Sequence, residues 1–212
     1  MQEFRVVNNS FGAEYGRALG GIVNIVTKSG TNTFHGSVYD YFQNNALNAR
    51  SLLQPEPQPN TLRQNQFGLT VGGPIKKDKT FFFANYEGQR RGESPTYPPI
   101  LLSNISTINA SKAALGIAQE NLNVLKTKDN DYVFARLDHV LSSSHQLSVR
   151  YNLEDGRDLN QLVGNTLDGG GIGAPSSGHN VFVNDQSLSG TVTSQFGTNM
   201  VNTALGQYAR RH

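Results

Sequence analysis

The chain has 212 residues, 16% of them charged, and a formal net charge of +2 at pH 7. Its charged fraction lies well below the ~25% of an average soluble domain, and Gly, Asn, Ser and Thr supply about a third of the chain. Because there is no Cys, disulfides, thiolate zinc ligands and a thiol nucleophile are excluded, and no apolar run is long enough for a membrane-spanning helix.

The first part of the chain contains two short predicted strands. Residues 4–7 are apolar apart from Arg5, and residues 20–28 begin with two glycines and are rich in β-branched side chains. Both features are typical of strands. Residues 29–32 place a glycine among polar residues, which indicates a turn.

From residue 33 the chain contains seven segments of about ten residues in which apolar and polar side chains alternate. Such alternation is typical of strands with one apolar and one polar face. In the second segment Phe67, Leu69 and Val71 share one face, whereas in the first segment Asp40 falls on the otherwise apolar face. The predicted strands are 33–43, 65–73, 80–90, 131–141, 145–154, 186–196 and 199–210.

The connections between these strands alternate in length. Those at 44–64, 92–130 and 157–185 are long, whereas the connections between the paired strands are short. Compact soluble domains have few long structureless loops. A transmembrane β-barrel has short turns at one end and long loops at the other, and its strands have about 9–11 residues.

Two hairpins have registers that separate apolar from polar side chains. Pairing Val71 with Phe82 does so for the second and third strands, and pairing Leu137 with Val149 does so for the fourth and fifth. In the long connection between these hairpins, Ser111 is a candidate N-cap for a short helix. Its apolar face would comprise Leu115, Ala118, Leu122 and Leu125.

Seven aromatic residues have two interpretations, an ordinary hydrophobic core or the interfacial girdle of a barrel. The alternating loop lengths favour the girdle. The residues are Tyr39, Tyr41, Phe42, Phe81, Phe82, Phe83 and Tyr86.

Weaker motifs predict no chemistry. The glycines from Gly169 to Gly173 have the spacing of a dinucleotide-binding loop, but Pro175 follows where a helix is required, so a flexible loop is expected. Asp129 begins a segment like a calcium-binding loop that then lacks the required glycine, and the histidines have no metal-ligand spacing. We therefore expect no catalytic, cofactor-binding or metal site, and no enzyme.

Several segments resemble TonB-dependent outer-membrane receptors. Residues 13–32 (AEYGRALGGIVNIVTKSGTN) resemble the end of their plug domain, and residues 34–39 (FHGSVY) resemble their first barrel strand. The other similar segments are 66–68, 71–75, 79–87, 136–139 and 146–151. The nearest subgroup is the Oar-like receptors, whose full chains usually carry a carboxypeptidase-regulatory-like domain near the N-terminus.

The resemblance implies an all-β fold, in which an antiparallel meander forms part of a transmembrane β-barrel and is preceded by the last strands of a plug domain. Residues 1–32 would be the C-terminal part of the plug, and residues 33–212 the N-terminal part of the barrel. Plugged barrels of this kind have about 22 strands. The chain, with about seven, is therefore interpreted as a fragment.

The resemblance also implies which residues matter. In the family, plug and barrel are held together by polar and charged contacts. The plug motif comprises Glu14, Tyr15, Gly16, Arg17, Gly20, Gly21, Asn24, Thr27, Lys28, Ser29 and Gly30. The lumen-facing candidates are Glu87, Arg136, Asp138 and Arg150, with Asp138 expected diagonal to Arg150, where it relieves the repulsion between the two arginines.

The implied function is that of a receptor in the cell outer membrane of a Gram-negative bacterium, which binds and imports a scarce or bulky nutrient with energy relayed by TonB. Expected partners are the outer-membrane lipid bilayer, TonB in the full-length protein and an unknown nutrient ligand, with no nucleic acid. Two alternatives are a non-transporting outer-membrane adhesin or structural barrel, and a soluble secreted carbohydrate-binding β-domain.

Overall fold

The structure is a computed structural model that describes residues 2–7, 21–50, 60–162 and 173–212. These residues form mainly antiparallel strands. The elements are β1 (Glu3–Val7), β2 (Ile22–Val26), β3 (His35–Asn44), β4 (Leu62–Lys76), β5 (Thr80–Glu93), α1 (Pro99–Ala114), β6 (Lys126–Ser142), β7 (His145–Leu162), a 3-10 turn (Pro175–Ser177), β8 (Gly178–Phe196) and β9 (Met200–Arg211).

Strands β1 and β2 form a separate antiparallel hairpin sheet, in which Phe4 lies opposite Ile25 and Val6 opposite Val23. Both strands were predicted. Among residues 1–26, the structure describes this hairpin and the residue before each of its strands. Its assignment to a plug domain stays a prediction.

Strands β3 to β9 form one seven-stranded sheet in which each strand pairs antiparallel with the next along the chain. This meander confirms the predicted fold class, and each of the seven predicted strands is present. Several strands are longer than expected: β6 has 17 residues, β7 has 18 and β8 has 19. The additional residues lie at the end of the sheet that carries the long connections. The strands therefore extend beyond the 9–11 residues that cross a bilayer.

The predicted register is correct for one hairpin and wrong for the other. Leu137 lies opposite Val149 as expected, but Val71 lies opposite Ala84 rather than Phe82. The turn is tighter than predicted, because β4 continues to Lys76 through a bulge and a three-residue turn follows. A shift of two residues keeps every side chain on its predicted face.

The register creates one apolar and one polar face. On the apolar face a single row crosses all seven strands and comprises Gly36, Val71, Ala84, Ala135, Tyr151, Leu188 and Tyr208. Leu188 is 49% exposed and Tyr208 is 67% exposed, so among the described residues nothing packs over this part of the face. A corresponding row on the polar face comprises Tyr39, Gly68, Glu87, Tyr132, Glu154, Asp185 and Arg211.

The described residues bury few large apolar side chains. Those classed as buried are Phe83, Tyr97 and Leu101. The predicted girdle is wrong as a single group, because the strands distribute its members over both faces. Phe82 and Tyr86 lie on the apolar face, and the 4% exposed Phe83 lies on the polar face.

The long connection after β5 contains a helix, but not at the predicted place. Helix α1 begins after Pro98, with a proline at its first position, and ends before Gly116, which has φ +67°. Proline at the start and a left-handed glycine after the end are ordinary helix boundaries. Ser111 therefore lies in the last turn and is not the N-cap. No helix in the described part of the chain is long and apolar enough to cross a membrane.

Candidate functional site on the polar face

The polar face carries a contact between the sheet and the segment that follows β2. Arg136 on β6 donates from Nη1 to the carbonyl oxygen of Thr27 at 3.3 Å and to its Oγ1 at 3.2 Å. Arg136 Nε also donates to both carboxylate oxygens of Asp138, at 3.0 and 2.8 Å. The carboxylate fixes the guanidinium in place, and the guanidinium binds the N-terminal segment.

Asp138 lies diagonal to Arg150 as predicted, because Ser148 is the residue directly opposite it. Its carboxylate binds Arg136 on its own strand, two residues away. Arg136 and Arg150 do lie opposite each other, as predicted. The carboxylate reaches the nearer guanidinium because residues i and i+2 share one face of a strand.

Gly30 brings the N-terminal segment into direct contact with the backbone of the β4–β5 hairpin. A Cβ at this position would lie 2.8 Å from the carbonyl oxygen of Gly73 and 2.8 Å from the amide nitrogen of Phe82. Any side chain would force the segment away from the sheet. Glycine is needed here for close approach.

Asn32 binds the turn that joins β4 to β5. Its Nδ2 donates to Asp78 Oδ1 at 2.5 Å, and its Oδ1 accepts from the Asp78 backbone amide at 2.8 Å. Asp78 has φ +60°, a left-handed conformation that Asp tolerates better than most residues. Thr27, Gly30 and Asn32 thus attach the segment after β2 to the sheet at three successive points.

Glu87, another lumen-facing candidate, lies in a hydrogen-bond network on the polar face. It accepts from the Tyr39 hydroxyl and from Gln66 Nε2 at 2.9 Å. Gln66 reaches it diagonally, since Gly68 is the residue directly opposite. The network joins β3, β4 and β5.

Two ion-pair groups lie nearer the long-connection end of the polar face. Glu93 binds Arg91 on its own strand and Lys126 on the next, the latter at 2.5 Å. Lys128 lies 3.5 Å from Asp158. A cavity of about 240 Å³ opens here, and its lining comprises Arg91, Glu93, Lys126, Thr127, Lys128 and Gln161.

Glu120 joins two long connections at this end of the sheet. Its side chain, 2% exposed, binds Lys112 of α1 and accepts from the backbone amide of Ser176 at 2.8 Å and from the Ser176 hydroxyl at 2.5 Å. Burial alone would raise the pKa of Glu120, but the bonds from Lys112 and Ser176 outweigh it and hold this pKa below its ordinary value. Burial, with a smaller effect of Glu120, raises the pKa of Tyr97, whose hydroxyl donates to the Leu122 carbonyl.

Another group of charges lies on the apolar face, and sequence reasoning missed it for that reason. Arg90 binds both carboxylate oxygens of Asp131 at 2.9 Å, and Tyr86 donates to the same carboxylate at 2.6 Å. The Arg90 guanidinium also lies over the Phe67 ring, 5.8 Å from its centroid. Arg90 and Asp131 thus neutralise each other at the end of the apolar face that lies near the long connections.

The structure places only part of the predicted plug motif. Thr27 and Gly30 contact the sheet as described, Asn24 lies in β2 opposite Arg5, and Gly21 precedes that strand. Lys28 is exposed and Ser29 half-buried. The remaining motif residues, Glu14, Tyr15, Gly16, Arg17 and Gly20, lie outside the described residues, as does most of the glycine-rich segment that starts at Gly169. The residues described form no cluster of three or more His, Asp or Glu that could hold a metal ion.

Comparisons with known proteins agree with this geometry. Residues 26–99 match the family model described as an outer membrane beta barrel domain. The chain is 38% identical over 92 residues to the TonB-dependent transporter Oar of Myxococcus xanthus, a match that covers 41% of the chain and 9% of that protein. No solved structure matches the chain.

The fold and these matches define the class: the chain carries an outer-membrane β-barrel domain and is located in the outer membrane. Within that class it is similar to the Oar-like TonB-dependent receptors over part of its length, which confirms the resemblance predicted from the sequence. The chain spans about a tenth of the length of the curated relative that it matches. In a transmembrane barrel, the apolar face of such a sheet is expected to meet lipid and the polar face to line the lumen.

Proposed function

We propose that the chain is part of an outer-membrane receptor that binds a scarce or bulky nutrient and imports it with energy relayed by TonB. The observation that carries this proposal is the position of the N-terminal segment on the polar face of the sheet. Thr27 is bound by Arg136, and Gly30 lies against the Phe82 backbone. Residues 1–32 would then be the end of a plug, and residues 33–212 the first strands of the barrel around it.

A lumen occupied by part of its own chain is not an open pore. A solute can pass only if the contacts of Thr27, Gly30 and Asn32 with the sheet are broken or the plug changes shape. Such a rearrangement needs an energy source, and the similarity to a transporter named as TonB-dependent indicates which one. The whole protein's partners would therefore be the lipid bilayer, TonB and the nutrient.

The lumen wall is suited to a polar solute. Beside the Glu87 network, a cavity of about 610 Å³ lies against β6 to β9. Aromatic and aliphatic side chains line it together with amides and charged groups, and small-molecule sites likewise combine apolar surface with a few polar groups. Its lumen-facing lining comprises Tyr132, Phe134, Asn152, Glu154, Asp185, Ser187, Ala209 and Arg211. None of these residues is proposed as catalytic.

The test compares solute uptake by cells with and without the gene. The medium of the parent strain should become depleted of at least one solute that the deletion strain leaves behind. The complete gene should restore that depletion, and it should fail to do so in a strain without TonB. Equal depletion by all strains would contradict import and favour the alternative of a non-transporting adhesin or structural barrel. The soluble-domain alternative does not agree with the outer-membrane barrel domain found here.

A further inference from the structure

Three polar atoms on the lumen side of β7 are buried without a partner, and two of them belong to residues only two positions apart. The Nε of Arg150 and the Oγ of Ser148 have no hydrogen bond, although both are inaccessible to solvent. No side chain or backbone group among residues 2–7, 21–50, 60–162 and 173–212 accepts from them. Buried donors without an acceptor are rare in folded proteins, and a bound group can supply the acceptor.

The charges around these atoms indicate the sign of that partner. Arg150 lies opposite Arg136 in the β6–β7 pair, on the same face of the sheet, so two arginines occupy directly paired positions. The carboxylate of Asp138, diagonal to Arg150, already binds Arg136 through both of its oxygens. Arg136, Asp138 and Arg150 together therefore carry one net positive charge, and Arg150 makes no ion pair among the described residues.

We propose that Arg150 and Ser148 form a binding site for a carboxylate on the lumen wall. Both residues lie on the same face of one strand, two positions apart, where an arginine Nε and a serine hydroxyl can donate to one anion. An Arg donor accepts nothing, so the ligand must supply acceptor oxygens, and a negative charge gives stronger bonds than a neutral carbonyl or a water.

The carboxylate has two possible sources. One is the protein's N-terminal segment, since Thr27 already binds Arg136 on the neighbouring strand; this source rests on the proposed plug function. The other is an acidic solute in the lumen. The chemistry of the site is the same for both, and a binding experiment separates them.

The experiment measures the unfolding temperature of the whole receptor in detergent, with sodium acetate as the probe and sodium chloride at equal ionic strength as the reference. The variants are Arg150→Gln and Ser148→Ala, with Arg157→Gln as the control. Arg157 is exposed, lies on the same strand and faces the other side of the sheet.

If the protein supplies the carboxylate, Arg150→Gln lowers the unfolding temperature without any probe, whereas Arg157→Gln does not. If a solute supplies it, acetate raises the unfolding temperature of the unmodified receptor more than chloride does, and Arg150→Gln abolishes that difference. Ser148→Ala should change the unfolding temperature in the same way but by less. If Arg150→Gln fails to assemble, the result for Ser148→Ala supports or overturns the proposal. The proposal is overturned if both variants match the control and acetate acts like chloride. This readout needs no import, so failure of the transport proposal would be seen separately.

Discussion

Arg136 on β6 binds both the carbonyl oxygen and the hydroxyl oxygen of Thr27, which lies 109 positions earlier in the chain. The two residues join the segment after the N-terminal hairpin to the fourth strand of the seven-stranded sheet. Asp138 holds the guanidinium from the other side at 2.8 Å. Asp138, Arg136 and Thr27 thus form a continuous set of hydrogen bonds that joins β6 to the N-terminal segment.

We expect Arg136→Gln to lower the stability of the whole receptor by about 1–3 kcal/mol, because it removes the bonds to Thr27 and leaves Asp138 without its cation. The Arg136 side chain is only 16% exposed, so solvent does not replace these bonds. Urea unfolding in detergent would measure the loss. The control is Lys128→Gln, since its ion pair is 3.5 Å long and Lys128 is 48% exposed; we expect a change below about 1 kcal/mol. If Arg136→Gln and Lys128→Gln lower the free energy of unfolding equally, the Thr27 contact does not contribute to stability.

Gly30→Ala is expected to separate the N-terminal segment from the sheet. The added methyl would lie 2.8 Å from two backbone atoms of the β4–β5 hairpin, which cannot move aside as a flexible side chain can. We expect a loss of about 1–3 kcal/mol, as for overpacked sites, and faster proteolysis of residues before β3. Gly190→Ala is the matched control, because its Cβ would meet nothing within 4 Å. Protection of the segment in both variants would contradict the close packing of Gly30.

The sequence predicted the faces of the sheet better than its contacts. Because side chains alternate with a period of two, Val71 and Leu137 lie on the apolar side in either register. The two-residue error in the partner of Val71 therefore left the assignment of faces unchanged. The turn that set the true register depends on the left-handed Asp78 and on Asn32, 46 residues away, which no local pattern shows.

Long-range polar partners were not predictable for the same reason. Glu120 and Ser176 are 56 residues apart and lie in two different connections. The position of α1 was predictable from Pro99 and Gly116, but the apolar periodicity after Ser111 was given more weight and placed the helix too late. Of the lumen candidates, all four lie on the polar face, and Arg136 is the one whose partner on the N-terminal segment the structure shows.

The Glu120 network should give the outer connections an acid-sensitive stability. The pKa of Glu120 is lowered in the folded protein, so its contribution is fully present above the unfolded value of about 4.5 and is lost as the pH falls through the lower folded value. Amide hydrogen exchange in α1 and in residues 173–178 should therefore accelerate together once the pH falls below the folded-state pKa of Glu120. Glu120→Gln should produce the same acceleration at neutral pH, whereas Asp155→Asn, at an exposed site, should not. Independent opening of the two connections would show that Glu120 does not join them.

Ala135→Arg tests which face of the sheet meets lipid. Ala135 is exposed and lies in the apolar row between Ala84 and Tyr151, so an arginine there would project from the lipid side. A charge near the bilayer midplane of a barrel costs about 2–4 kcal/mol, and we expect this loss in the free energy of folding into phospholipid vesicles. The control is Asn152→Arg, since Asn152 is also exposed but faces the lumen, where an arginine remains hydrated. If the two variants fold into vesicles with the same free energy, the assignment of the apolar face to the lipid side is contradicted.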